Sequence, residues 1–420
     1  MTDRPLTLLV VCPHFDPDTA PTGVVITRIV GELTARGHRA HVVTSLPWYR
    51  EHRVAPEWVG ARTQVERVAW GSITRLDPMA SPDKRHLVRR AIGFAGFSAL
   101  AGWRGARAGR GERIDAVLAM SPPLTLGLTG WVAGRLRRAP LVFNVQDIFP
   151  DAAVASGALS TRSHVGRAVV AVAGWLERLT YRRSAAVTVL SDDLADNVRA
   201  KLPERRRETV RVIPNFVDVE AITPGERINA YRRELGIGDG PVVMYAGNVG
   251  FSQSLSLLVA AAGELPEVTF VIHGDGSAKA QLVADAAATP NVCFSPYLAA
   301  ERLPEVLAAG DVHVVPLKAG LGSVSVPSKT YSILAAGRPV VAAIDAGTEV
   351  PRILAESGAG LATPPDQLGP LVESIRALLA DPDRARAMGA SGRRWVERTV
   401  SPAAVGEAYE RLFHEVMRHS

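Results

Sequence analysis

Short apolar runs alternate along this chain with longer stretches whose apolar positions recur every three or four residues. LTLLVVC (6–12) is followed by TGVVITRIVGELTARGH (22–38), where Ile26, Ile29, Val30 and Leu33 share one face of a helix that stops at Gly37. Further strand-like runs are AHVVTS (40–45), IDAVLAM (114–120), PLVFNVQ (140–146), AAVTVL (185–190) and VRVIP (210–214). Helical stretches such as HVGRAVVAVAGWLERLTYRR (164–183) separate them. Continuous apolar runs between helices predict parallel strands covered on both faces.

VIPNFVDVEAITPGERINAYRREL (212–235) interrupts the alternation with Pro214, Pro224 and Gly225. The pattern then restarts with PVVMYAG (241–247), VTFVIHG (268–274), NVCFSPY (291–297), a helix over 301–309, DVHVVPL (311–317), a helix after VPSK, and PVVAAID (339–345). The reading is α/β throughout, as two doubly wound parallel-sheet domains over residues 1–220 and 221–398. A last helical stretch within 399–420, AVGEAYERLFHEVMRH, is able to pack on either. Ligands of open α/β sheets bind beyond the carboxyl ends of the strands. The candidate loops are therefore 16–23, 121–123, 147–151, 247–250, 318–328 and 346–349.

Composition changes this picture in few places. With 47% hydrophobic residues in 420, there is apolar material for more than one core. Cys12 and Cys293 sit apart in apolar runs and read as buried thiols rather than a disulfide. The start, MTDRPLTLLVVCPHF, has an apolar run too short for a signal peptide, and no run reaches the roughly 18–20 residues that span a bilayer. The expected location is cytoplasmic. The net charge is +6, and basic residues gather in 84–113, 180–184 and 201–208. The first stretch mixes them with Ile92, Phe94, Phe97, Leu100 and Trp103. That composition suits peripheral contact with a membrane interface, and equally an ordinary helix with a solvated basic face. No nucleic-acid-binding motif accompanies the charge.

The richest candidate chemistry lies in LKAGLGSVSVPSK (317–329). Gly320 and Gly322 give an open backbone, Ser323, Ser325 and Ser328 offer hydroxyls, and Lys318 and Lys329 offer charge. Pro327 suits the first turn of the helix that follows, and Ser325 and Ser328 suit its cap. A lysine at a helix N-terminus sits at the unfavourable end of the macrodipole. A bound phosphate would reverse that sign. In APTGVV (20–25), Gly23 fits either backbone approach to an anion or a tight turn with no ligand. YAGNVG (245–250) offers Gly247 and Asn248 at the equivalent point of the second domain, without G-x-G-x-x-G spacing. HGDG (273–276) reads as a turn bent by Asp275, and SDD (191–193) as a helix cap. Asp147 and Asp151 end an apolar strand, where a carboxylate accepts a proton, binds a sugar hydroxyl or caps the next helix. The ten histidines and two cysteines show no metal-ligand spacing, and no G-x-S-x-G elbow occurs.

The APTG loop with its helix and RGH, then SPPLTLGL, VFNVQDIFPDAA, VLSDDL, VIPNFVD, YAGNVG, HGDG and VPSKTYSILAAGRPVVA follow one another in an order that is more specific than any piece. In this the chain resembles the retaining glycosyltransferases of GT-B fold, most of all bacterial exopolysaccharide and colanic-acid-type enzymes, nearly end to end. The resemblance implies two Rossmann-like domains facing a central cleft, acceptor recognition in the first, donor recognition in the second, and a C-terminal helix crossing back to the first. It implies a nucleotide-sugar donor, with uridine (UDP) the family's usual choice, and a glycan or polyprenyl-diphosphate-linked acceptor at the inner membrane face. It implies no required metal and no nucleic acid.

By the same resemblance, Gly23 contributes a backbone N–H to the donor phosphate, and Gly247 and Asn248 line the phosphate side of the second domain. The SVPSK loop, with Ser323, Ser325 and Ser328, cradles pyrophosphate and sugar, and Glu349 lies near the donor. Asp147 orients the acceptor or the sugar. Many relatives carry two glutamates flanking this helix start, where this chain has Val324 and Ser332. Serine still hydrogen-bonds a ribose hydroxyl; valine holds no sugar hydroxyl. A basic pair common after the YAGN-like turn is also missing, which shifts the phosphate charge onto Lys318 and Lys329. Two other reactions fit the resemblance: epimerisation of a nucleotide sugar, which needs no acceptor, and transfer to a small natural-product acceptor.

Overall fold

The computed structural model describes residues 4–49, 53–78, 87–151, 154, 163–322 and 327–418. The chain divides into two compact units, Met1–Asn215 with Val405–Ser420, and Phe216–Ala404.

The first unit is built on β1 (Thr7–Val11), β2 (Arg39–Ser45), β3 (Thr63–Val68), β4 (Gly71–Leu76), β5 (Ala116–Met120), β6 (Leu141–Asn144), β7 (Ala186–Val189) and β8 (Val210–Val212). They lie in the order β3-β4-β2-β1-β5-β6-β7-β8. All pair in parallel except β3, which runs antiparallel to β4. The central strands are buried on both faces, as Leu9, Val10, Val117, Leu118 and Val142 show, and so they read as unbroken apolar runs. The β3–β4 hairpin escapes that reading. Four of the six β3 residues are exposed, so its sequence carries no buried face. Helix Pro21–Ala35 lays Ile26, Ile29, Val30 and Leu33 on the sheet. Burying each such side chain contributes about 1.5–3 kcal/mol.

From Val405 onward the helix Pro402–Arg418 belongs to this same unit. The Asn144 amide on β6 donates to the Tyr409 hydroxyl (2.6 Å), and Glu410 meets His38 (3.0 Å) and Arg36 (3.4 Å) of the RGH turn. Ser191 caps the helix Asp192–Ala200 by accepting the Leu194 N–H at 3.3 Å.

The second unit holds β9 (Val242–Ala246), β10 (Thr269–His273), β11 (Val292–Ser295), β12 (Val312–Pro316), β13 (Val340–Ala343) and β14 (Gly360–Thr363). Its order, β11-β10-β9-β12-β13-β14, is the 3-2-1-4-5-6 arrangement of doubly wound sheets. Helices cover both faces and enclose two aliphatic cores. At the reversal of strand order, β9 and β12 pair only through Val243–Val312 and Met244–His313. Beyond that point the strands part, and their carboxyl ends leave a crevice. Cys12 is fully buried after β1, but Cys293 is only half-buried, because β11 is an edge strand.

Candidate active site

The crevice between β9 and β12 is a cavity of about 610 Å3. Gly247 and Asn248 line it from the loop after β9, Leu317 from the loop after β12, and Ser328, Lys329 and Ser332 from the start of the helix Lys329–Ala335. Its far wall is apolar, with Tyr297, Leu298 and Leu303. Five of the residues singled out in the sequence, Gly247, Asn248, Ser328, Lys329 and Ser332, therefore meet in one place within one unit.

Lys329 is the centre of this arrangement. Its Nζ lies 2.5 Å from the Tyr245 hydroxyl, to which it donates, and 4.0 Å from the centre of that ring. Tyr245 in turn donates to the Asn248 carbonyl (2.6 Å). Tyr245 is fully buried, and burial holds its phenol above the usual range, so it stays a neutral partner. Among the described residues no carboxylate forms an ion pair with Lys329. Loss of water around the ammonium lowers its pKa to about 7. Gly247 makes the approach possible. Its φ is 146°, and a Cβ there would stand 2.9 Å from Lys329 Nζ. An uncompensated cation at the rim of a cavity is poised for an anion.

Other expectations need correction. Ser328 is helical in its own backbone and its hydroxyl makes no capping bond. The backbone of 320–322 is not open: the Gly320 and Gly322 N–H groups donate to the Asp345 carboxylate at 2.9 and 3.1 Å. Asp345 follows β13 and occupies the amides that a phosphate would need. The Ala319 N–H likewise donates to Asp366 (3.0 Å). Lys318 is exposed and lines no part of the cavity; its charge lies near Asp366. Glu349 opens the helix Glu349–Ser357, pairs with Arg352 at 3.1 Å and also stands outside the cavity lining. Ser323 and Ser325 lie outside the described residues.

HGDG does more than turn the chain. His273 lines the cavity, with Nδ1 at 3.1 Å from Tyr231 Oη and 3.2 Å from Ser295 Oγ. Burial, then the nearby Lys279, keeps its imidazole below the ordinary range. Tyr297 stands edge-on to it, with ring centres 6.0 Å apart. The sequence signal for these two, a polar residue closing an apolar strand, was present but unspecific.

In the first unit the reversal of strand order falls between β1 and β5. The loop after β1 carries a buried pair, His14 Nδ1 and Asp18 Oδ2 at 2.6 Å, beside Trp48 and Tyr49. Gly23 is buried against this loop, and a Cβ would meet His14 Cβ at 2.9 Å and the Asp18 carbonyl at 3.1 Å. Close packing thus requires the glycine. Asp147 follows β6 and is exposed, although partial desolvation of its carboxyl raises its pKa. Asp151 is tied to Lys201 at 2.9 Å and to Asn197 at 3.1 Å, a structural role.

Among the described residues the fold gathers one group that sequence spacing did not announce, His38, Glu410 and His414, whose ligand atoms lie within 4.8 Å of one another. His38 Nδ1 accepts the Leu6 N–H at 3.0 Å, so the ring proton sits on Nε2, which donates to Glu410. That nitrogen has no lone pair for a metal, and the group pins the last helix instead.

Two family models match the chain, "Glycosyl transferase 4-like domain" over residues 22–215 and "Glycosyl transferases group 1" over 240–381. WcaI of Escherichia coli (strain K12), named as a colanic acid biosynthesis glycosyl transferase, is 27% identical over 402 residues, 94% of this chain and 96% of WcaI. Among solved structures, sucrose-phosphate synthase from Thermosynechococcus elongatus superposes with a TM-score of 0.72 at 18% identity, over 99% of this chain and all of that one. Anabaena HepE in complex with UDP gives 0.67 at 15% identity, over 98% of this chain and all of HepE. The two parallel-sheet units, the order of their strands and the two matched domains together make this chain a glycosyltransferase of the GT-B fold.

Proposed function

We propose that this enzyme transfers a sugar from a nucleotide-sugar donor, with UDP as the nucleotide, to a glycan or polyprenyl-diphosphate-linked acceptor in polysaccharide or glycoconjugate synthesis, with retention at the sugar carbon. The observation that carries the donor half is Lys329, a desolvated ammonium with a phenol for a neighbour and a cavity in front of it. The full-length likeness to WcaI and the UDP complex of HepE support the substrate classes.

The acceptor hydroxyl oxygen forms the new bond to the sugar carbon as the bond from that carbon to the diphosphate breaks. Negative charge develops on the leaving diphosphate. Lys329 meets it there, and the departing oxygen takes the acceptor proton. Groups aimed at developing charge usually give the largest single contribution, and removing one costs about 10²–10³ in rate. Gly247 and Asn248 line the diphosphate, and Ser328 and Ser332 offer hydroxyls to donor oxygens. Tyr297 and Leu303 wall the apolar side, where a base would stack. Asp147, on the loop after β6, is the candidate for orienting the acceptor.

The test is calorimetric titration of the full chain with UDP, with GDP and dTDP beside it, for the wild type and Lys329→Ala. Saturable UDP binding that weakens strongly in the variant supports the reading. Equal binding by both proteins would sink it. Donor turnover without any acceptor would instead mark an epimerase.

A further inference from the structure

Lys329 occupies only one end of the cavity in the second unit. The cavity runs along the carboxyl edge of the sheet, across strands in the order β11-β10-β9-β12. Lys329 and its partner Tyr245 stand at the β9–β12 end. His273 closes β10, and Tyr297 follows β11. In the register of the sheet His273 lies beside Ala246 of β9 and Ser295 of β11. Neighbouring strands lie about 4.8 Å apart, which puts the two ends about 10 Å from each other. A nucleoside diphosphate spans that distance from its outer phosphate to the far edge of its base.

His273 is 4% exposed, and its neighbours decide where its proton sits. The Tyr231 hydroxyl meets Nδ1 at 3.1 Å. Tyr231 is fully buried, and burial pushes its phenol up to about 12, so the hydroxyl keeps its proton and needs an acceptor. Ser295 Oγ lies 3.2 Å from the same nitrogen and donates to the Pro296 carbonyl at 3.3 Å. Nδ1 therefore accepts from Tyr231. Burial, then the charge of Lys279, favours the neutral ring; Lys279 itself is held on the Gly274 carbonyl at 2.8 Å. In a neutral imidazole whose Nδ1 accepts, the proton is on Nε2. Among the described residues no group accepts from that nitrogen. The ring lines the cavity, so it offers one N–H donor to what enters. Beside it Tyr297 is 53% exposed, with its ring plane 85° from the imidazole, and gives a flat partner a surface to stack on.

We infer that His273 selects the nucleobase of the donor: its Nε2–H donates to the oxygen at the 4-position of a pyrimidine stacked on Tyr297, which admits uracil and disfavours cytosine. Uracil carries a carbonyl oxygen at that position. Cytosine carries an amino group there, and a donor would face a donor. The buried N–H would then stay unpaired, and a site built on a hydrogen bond rejects the analogue that lacks its partner. Lys329 sits at the other end and meets the diphosphate, which every such nucleotide shares. A ribose hydroxyl is also shared by all of them, so a contact from His273 to the ribose would give no preference among bases.

This inference rests on the nucleotide-donor reading and goes beyond it by giving base choice to one residue. The experiment is calorimetric titration of the full chain with UDP, CDP and 4-thio-UDP, for the wild type, His273→Asn and Lys329→Ala. The wild type should bind UDP about 10–100-fold more tightly than CDP. It should bind 4-thio-UDP more weakly than UDP, because sulfur is a poor acceptor, and this comparison needs no variant. His273→Asn keeps an acceptor for Tyr231 and withdraws the donor from the cavity. Its affinity for UDP should fall to about that for CDP, while CDP binding is unchanged. Lys329→Ala should weaken both nucleotides and keep their ratio. Equal binding of UDP and CDP by the wild type, or a preference that survives His273→Asn, would overturn the inference and leave the diphosphate reading standing. An equal loss of both nucleotides in His273→Asn would mark a ribose or packing role and overturn it too. Absent binding of every nucleotide by the wild type would overturn both readings.

Discussion

Strands β9 and β12 lie side by side, and their two ends are built differently. At the amino end, Arg232 is 1% exposed and fully answered. Its guanidinium donates to the Ala309 and Gly240 carbonyls (2.8 and 2.9 Å) and to Asp311 (2.8 Å). Asp311 also accepts from Arg227 (2.7 Å) and from the first amide of β9 (2.8 Å). At the carboxyl end the strands part, and Lys329 faces the cavity with a neutral phenol beside it. Both ends draw a cation out of water. One encloses its counter-charge within the chain, and the other has a neutral phenol and a cavity in that place. The closed charge network holds the switch point together, and the open one is where the proposed donor site lies.

Removing the enclosed counter-charge should have the largest effect. Asp311→Ala strands Arg232 and is expected to cost about 3–5 kcal/mol of stability, read by denaturant unfolding. UDP should still bind under native conditions. Lys329→Ala should do the reverse. Turnover falls by about 10²–10³, while unfolding stability is unchanged or rises, since a desolvated charge is gone. If Lys329→Ala unfolds the protein as Asp311→Ala does, the contrast between the two ends is wrong.

Gly247→Ala tests the close approach. A methyl group at this φ, 2.9 Å from Nζ, should cost about 1–3 kcal/mol and weaken UDP binding together with it. Thermal melting beside titration reads both.

The smallest effect concerns protons. With its pKa lowered to about 7, Lys329 is partly neutral at pH 7–8 in the free enzyme. A diphosphate favours the ammonium and raises that pKa, so binding takes up protons. Affinity should therefore fall as pH rises above about 7, by up to tenfold per unit. Calorimetry in two buffers of different ionisation enthalpy measures the uptake. Lys329→Ala should abolish it.

Much of the fold is legible in the sequence because its central strands are buried on both faces, and burial writes an unbroken apolar run. β3 is illegible for the opposite reason, as it has no buried residue. β14, four residues opening with a glycine, is too short to stand out. At the site, the misplaced charge of Lys329 was readable, because a lysine opening an apolar helix contradicts local electrostatics. Lys318, eleven positions earlier, looked equivalent in the sequence and stayed in solvent. Likewise Gly320 and Gly322 look like a free amide cradle until Asp345, which lies beyond β13, is brought to them.

Which segments are strands, which are helices and which loops follow the carboxyl ends are local facts, set by the period of the apolar residues. Which lysine loses its water, which acid fills a cradle, and which tyrosine meets Lys329 across 84 positions are facts of assembly. The apolar period states that a face will be covered and is silent about what covers it. Desolvation, and with it the chemistry of Lys329, exists only once β9 and β12 have come together and parted.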